Sequence, residues 1–351
     1  MEDREWVKEF INLYTSSNEE NIQIANNLKY YHLPSHLYRY RPVNNLEHIR
    51  AELKGKIYLS HQKQLNDPYD STSILSARND EEFLNYLYPT ENFNTIKECK
   101  IDKAPLGSVT KRQILDLHLV FNQLLYLFRI ACFTTSNINA CMWYNYSENY
   151  QGICLEYDTS HFDKFLDFLF PVNYVLELPD IVKIFLSSPS TLSNKIRIMH
   201  SCLTSKLLNW QSEEEWRLVI SPNKLSEWNE NVPLPTSTNG VLIDFIKPSK
   251  IILGARISNI NKLNILNLAT EYEIPVEQLD ITQHGLKPKD LRFDFDDLKN
   301  DEKYIPQASN LTPSQEKLID FSTSLPDKDI EKILHYLWFL KEENKTFTEK
   351  D

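Results

Sequence analysis

Leu207–Ile220 reads LLNWQSEEEWRLVI, and the way this stretch is read decides the fold that carries it. Side chains on a strand alternate between its two faces. That alternation puts Glu214, Trp216, Leu218 and Ile220 on one side and Glu213, Glu215 and Arg217 on the other. The first set suits a core. The second sets two carboxylates beside a guanidinium. Taken alone, the stretch is a half-exposed strand with a solvated face, so a functional reading has to come from its surroundings.

Upstream, residues 1–31 recur at helical spacing through Trp6, Phe10, Ile11 and Tyr14, and Pro34 closes this opening unit. Leu37–Arg41 alternates again, with Tyr38 and Tyr40 on one face and Arg39 and Arg41 on the other. Asn44–Asn45 caps a helix to about Leu53, Gly55 suits its end, and Ile57–Ser60 is a second strand. Asn66-Asp67-Pro68 is a turn, and Asn66, Asp67 and Asp70 are read as no more than a cap for the next helix. Residues 74–130 are mainly helical, 130–133 a strand, 139–149 a short aromatic helix with Trp143 and Tyr146 on one face, and 152–157 a strand.

Residues 160–208 read as mostly helical. Strands are expected at 241–246, 250–254 and 276–281, with a helix over 262–270. Residues 312–345 form an amphipathic helical hairpin through Ile330, Ile333, Leu334, Leu337 and Leu340. Strands and helices alternate irregularly, which favours α+β over a doubly wound sheet. The chain divides into three parts: a helical prelude over 1–36, a main α+β domain over 37–290 and a C-terminal helical extension over 300–351.

Composition narrows the function. With 351 residues the chain can bury a substantial core, and its six glycines include no G-x-G-x-x-G or Walker string. A formal net charge of −11 disfavours a nucleic-acid footprint over the whole surface. Five cysteines without a C-x-x-C pair suggest neither a disulfide framework nor a zinc site, so reduced thiols in a cytoplasmic protein are expected, with no metal. No apolar run is long enough to span a bilayer, and the opening MEDREWVKEF lacks the signal-peptide pattern, so no membrane partner is expected.

Three polar strand faces suggest chemistry. Arg39 and Arg41 could clamp phosphate as a guanidinium fork. Hydroxyls come from Ser60 or from Thr134-Thr135-Ser136. Glu213 and Glu215 could stabilise positive charge growing on a sugar ring. Together they suit cleavage of a nucleotide–sugar bond. As a plain alternative, Arg41 and Glu215 form a structural ion pair.

Four segments carry a family resemblance. LYRYRPVNNLEHIRAELKGKIYLSHQKQLNDPYD, ACFTTSNINACMWYNYSENYQGICLEYD, NWQSEEEWRLV and IKPSKIILGARIS resemble, in order, the signatures of a bacterial family called domain of unknown function 2971, over about Leu37–Gln283. Some relatives are associated with abortive infection against phage. The motif order also looks like that of ADP-ribosyltransferases, whose split antiparallel or mixed sheet with flanking helices the resemblance would imply. On that resemblance Arg39 or Arg41 holds the phosphates of NAD, the substrate. Glu215 is the catalytic glutamate, and Glu213 positions the acceptor, a protein or nucleic acid. The middle motif is either Thr134-Thr135-Ser136 or the Gly55–Ser60 strand, in which Tyr58 stacks on nicotinamide. The triple glutamate leaves the register open by one residue. The chain is therefore expected to be a toxin or antiviral-defence effector. The rival is a non-enzymatic nucleotide or phage-component sensor that meets partners, or a second copy, through its C-terminal helices.

Overall fold

The structure is a computed structural model that describes residues 4–76, 106–187, 192–228, 238–289 and 291. All of these belong to a unit spanning Met1–Arg292. The C-terminal extension at 300–351, with its expected hairpin, lies outside the described residues.

The first half of the unit runs α1 (Glu5–Tyr14), α2 (Glu19–Tyr31), β1 (His36–Arg41), α3 (Leu46–Leu53), β2 (Lys56–Leu59), α4 (Leu106–Leu125), β3 (Arg129–Thr134), α5 (Ala140–Tyr146) and β4 (Ile153–Asp158). It continues β5 (Leu169–Pro171), β6 (Asn173–Val175), α6 (Ile181–Ser187), α7 (Leu192–Leu203), β7 (Ser205–Leu207) and β8 (Glu215–Ile220). It ends α8 (Pro222–Trp228), β9 (Val241–Asp244), β10 (Lys250–Leu253), α9 (Asn259–Tyr272), β11 (Val276–Thr282) and β12 (Gly285–Lys289).

Local chemistry sets several of these boundaries. Asn18 opens α2 by accepting from the Glu20 N–H at 2.8 Å. Asn45 opens α3 by accepting from Glu47 and His48. Gly55, at φ +77, lets the chain leave α3 in a left-handed turn that a side chain would strain.

Eight strands form one mixed sheet in the order β12-β11-β10-β4-β1-β3-β8-β5, antiparallel except for the β10–β11 pair. Two small two-stranded sheets, β2-β9 and β6-β7, stand beside it. Segment 160–208 departs from its helical expectation, because β5, β6 and β7 fall inside it. β5 pairs with β8 through Leu169, Phe170 and Pro171, all buried. Pairing with the sheet overrides the local helical pattern there.

Register fixes what each face carries. Tyr38 sits opposite Thr134, Thr134 opposite Glu215, Phe133 opposite Trp216 and Cys132 opposite Arg217. Residues opposite one another in an antiparallel pair share a face. One face therefore carries Tyr38, Tyr40, Cys132, Thr134, Glu215 and Arg217. The other carries Leu37, Arg39, Arg41, Phe133, Trp216 and Leu218. The second face holds the largest core, under α3, α9 and the β2-β9 sheet. On the first face, α1, α4, α6 and α7 close a core around Ile130, Phe170 and Val219, and α5 closes a smaller one around Tyr40 and Trp143. Residues of α1 and α2 thus share a core with the sheet. Among the described residues no helix is long and apolar enough to cross a membrane.

Candidate functional site

All six residues of β8 are buried, so its charged face is covered where the plain sequence reading left it to solvent. The cover comes from two places. One is the Asn66–Asp70 turn, held by the Tyr69 N–H donating to Asp67 Oδ1 at 2.9 Å. The other is β7, which carries Lys206.

Arg217 lies at the centre. Its Nη1 and Nη2 donate to the two oxygens of Asp70 at 2.6 and 2.7 Å. Its Nε and Nη2 donate to the two oxygens of Glu215, both at 2.9 Å. Nη1 also reaches Ser71 Oγ at 2.9 Å and the Leu203 carbonyl at 2.8 Å. Lys206 Nζ bridges the two glutamates, 2.6 Å from Glu213 Oε2 and 3.2 Å from Glu215 Oε2, with Asp70 Oδ2 at 3.4 Å. Its ammonium also sits 5.0 Å from the centre of the Trp210 ring. Glu213, as buried as Glu215, completes the set. Tyr146 donates its hydroxyl to Glu213 Oε1 at 2.6 Å, and the exposed Asn66 donates to that hydroxyl at 2.9 Å.

Three carboxylates against two cations leave this buried group one negative charge in excess, which a low-dielectric interior resists. The two glutamates respond in opposite directions. Burial alone would raise Glu215, but Arg217 and Lys206 outweigh it and hold the carboxyl at about 2. Burial and the nearby Glu215 raise Glu213 above the ordinary carboxylate range, even against Lys206. Of the two glutamates, Glu213 is the one whose protonated form the surroundings favour. Burial, and then Glu213, also push the Tyr146 phenol up, so it stays a hydrogen-bond donor.

The run Glu213-Glu214-Glu215 is split in space. Glu213 ends a 3-10 turn over Leu208–Glu213, Glu214 takes a left-handed conformation at φ 48, and only Glu215 enters the strand. This break cancels the alternation that paired Glu214 with Trp216. Glu214 turns away from the network and accepts from Thr135 Oγ1 at 2.6 Å. Thr134 Oγ1 donates to the Glu213 carbonyl at 2.6 Å. Of the two hydroxyl motifs, then, Thr134-Thr135 adjoins the glutamates, and Ser136 follows at the strand's end. Tyr58 and Ser60 lie elsewhere. Tyr58 bonds Gln64 and the Gly240 N–H at 2.9 Å, and Ser60 pairs by its backbone with Ile130.

Arg39 and Arg41 point to the opposite sheet face from Glu215, so the structure does not bring the three into one cleft. Arg41 Nε donates to Glu52 at 2.7 Å, and Tyr157 donates to the same carboxylate at 2.7 Å. Arg39 Nε lies 3.8 Å from Glu52, and its guanidinium sits 5.2 Å from the Phe133 ring centre. The expected Arg41–Glu215 pair is replaced by Arg41–Glu52 and Arg217–Glu215.

Sequence reasoning missed Lys206, Asp70 and Ser71 as members of the site, and gave Tyr146 no role beyond one face of a short aromatic helix. Lys206 could have been found as the one cation just upstream of the acidic triplet. Nothing local marks Asp70 as the partner of a residue 147 positions away. No group of three or more His, Cys, Asp or Glu among the described residues is placed to hold a metal.

The fold and this network define an α+β protein organised on a large mixed sheet with a buried acid–base cluster. Residues 142–218, which include Tyr146, Lys206, Glu213, Glu215 and Arg217, match the family model described as "Protein of unknown function (DUF2971)". No curated protein and no solved structure gives a significant match.

Proposed function

We propose that the chain is an enzyme of ADP-ribosyltransferase-like chemistry that uses NAD, on a sheet of the split ADP-ribosyltransferase type, and serves as a bacterial toxin or anti-phage effector. One observation carries this: Glu213 is a carboxylate held beside Glu215 in a fixed ionic network and oriented by Lys206 and Tyr146. The strand order gives support, since β3 and β8, which bear the Thr134-Thr135 hydroxyls and Glu215, are neighbours in the sheet. In the reaction the bond from ribose C1′ to the nicotinamide nitrogen breaks and its electron pair leaves with nicotinamide. Glu213 steadies the oxocarbenium-like sugar and takes the proton of the acceptor nucleophile as the new C1′ bond forms. Glu215, with both oxygens held by Arg217, acts as a positioning residue. Arg39 and Arg41 have no part in this version of the site.

Nicotinamide release from NAD tests the proposal. Glu213→Gln should lower turnover by at least about 100-fold, within the usual range for removing an acid–base group, while the chain remains folded. Turnover unchanged in Glu213→Gln would sink the assignment. A wild-type chain that releases no nicotinamide in the presence of cell extract would favour the non-enzymatic sensor. The sensor reading draws on the complete internal pairing of Glu215 and Arg217.

A further inference from the structure

A cleft of about 1020 Å³ lies apart from the side chains of the ionic network, with walls drawn from α1, the end of α2 and the start of β1. That volume is at the top of the ~300–1,000 Å³ range of small-molecule sites. Three kinds of surface meet there. The first is aromatic: Trp6 and His32 stack at 4.3 Å with planes 7° apart, and Tyr31 stands edge-on to His32 at 5.0 Å and 85°. Tyr31 is 84% exposed, so its ring face is open to a ligand. The second is cationic: Arg4 spends Nη2 on the Glu215 carbonyl at 3.2 Å, while Nη1 is buried with no hydrogen-bond partner among the described residues. The third is anionic: Glu214 Oε2 accepts from Thr135, leaving Oε1 with no hydrogen-bond donor among the described residues.

From these surfaces we infer that the cleft binds a nucleoside 5′-phosphate, with its base against the Tyr31–His32 corner, its phosphate on Arg4 and its ribose hydroxyls donating to Glu214. Each contact rests on ordinary chemistry. Any base offers a π face to an aromatic ring. A guanidinium with a spare N–H takes a phosphate oxygen. An acidic side chain accepts from vicinal ribose hydroxyls. A plain anion would gain nothing from Glu214, and an apolar ligand would leave Arg4 Nη1 unbonded. The ligand has to bring an aromatic ring, hydroxyl donors and an anionic group together. The inference concerns binding alone and does not depend on NAD cleavage.

Equilibrium dialysis of AMP, adenosine and inorganic phosphate against the full chain tests it. AMP should bind saturably, with adenosine about tenfold weaker and phosphate weaker still. Arg4→Gln should weaken AMP about tenfold and leave adenosine unchanged, because only the phosphate contact is lost. Tyr31→Ala should weaken AMP and adenosine alike by about tenfold. It removes a side chain from the surface, so the fold is kept even if Arg4→Gln disturbs the turn at Glu215. The inference fails if AMP does not saturate, or if it binds Tyr31→Ala as tightly as wild type. AMP has no nicotinamide bond, so failure here and failure of NAD turnover are separate results.

Discussion

The Arg39–Arg41–Glu52 cluster and the Asp70–Lys206–Glu213–Glu215–Arg217 cluster lie on opposite faces of one sheet, with β3 between the strands that carry them. The first sets two guanidinium groups against one carboxylate. The second sets three carboxylates against two cations. Each is therefore out of balance by one charge, and each meets that imbalance differently. Arginine does not give up its proton in a protein, so the first cluster must shelter its charge. Arg41 does so by keeping 28% of its side chain exposed, and Arg39 by lying over the Phe133 ring. The second cluster can shed its charge by protonating Glu213. The carboxylate whose protonated form is favoured thus belongs to the cluster on the Glu215 face.

The largest effect should come from breaking the complete cluster at its centre. Arg217→Met would leave Asp70 and Glu215 buried with only Lys206 to balance them. The expected loss is about 3–5 kcal/mol in urea denaturation, the usual consequence of stranding one side of a buried ion pair. A loss below about 1 kcal/mol would mean that water reaches the cluster, and the contrast between the two faces would collapse.

A smaller effect separates the two glutamates by pH. Glu215 titrates far lower in the folded chain than its ordinary 4.5, so its contribution to stability is present above that value and is lost as pH falls toward about 2. Glu213 has the opposite sign. Its folded pKa is raised, so its contribution is present at low pH and is lost as pH rises through the raised value. Denaturation midpoints from pH 3 to pH 8 should show Glu215→Gln flattening the acid limb. Glu213→Gln should flatten the upper limb and cost no more than about 1 kcal/mol at neutral pH. Identical profiles for the two variants would remove the distinction on which Glu213 is chosen.

The sequence is legible as far as local rules reach. Alternation within β1 separated Tyr38 and Tyr40 from Arg39 and Arg41, and alternation within β8 sent Trp216 and Leu218 to the core, because period two is a property of one strand. How the faces of two strands relate is a property of their register, and register is set by partners far along the chain. Only the Tyr38–Thr134–Glu215 row shows that the arginines look away from the glutamates. The left-handed Glu214 was equally hidden, since a non-glycine residue at φ 48 needs surrounding contacts to hold it. Asn66–Asp70 was legible as a turn and illegible as a site, because its partner Arg217 reaches it only through the sheet.

The smallest effect is expected on the incomplete cluster. Arg39 Nε and Nη1 are buried without hydrogen-bond partners among the described residues, and the nearest carboxylate oxygen of Glu52 is 3.8 Å away. Each unbonded donor costs about 1–3 kcal/mol relative to water, which offsets much of the attraction to Glu52. Methionine has a similar length and no donors to leave unbonded. Arg39→Met gives up the Phe133 ring contact, worth about 0.5–2 kcal/mol, and removes the desolvated charge. Glu52 keeps Arg41 and the Tyr157 hydroxyl, so its own charge remains balanced. The two sides nearly cancel, and the stability of Arg39→Met should fall within about 1 kcal/mol of wild type, on the stabilising side if the orphaned donors dominate. A loss as large as that of Arg217→Met would show that Arg39 balances Glu52 through space despite the 3.8 Å gap, and the two faces would then be equally complete.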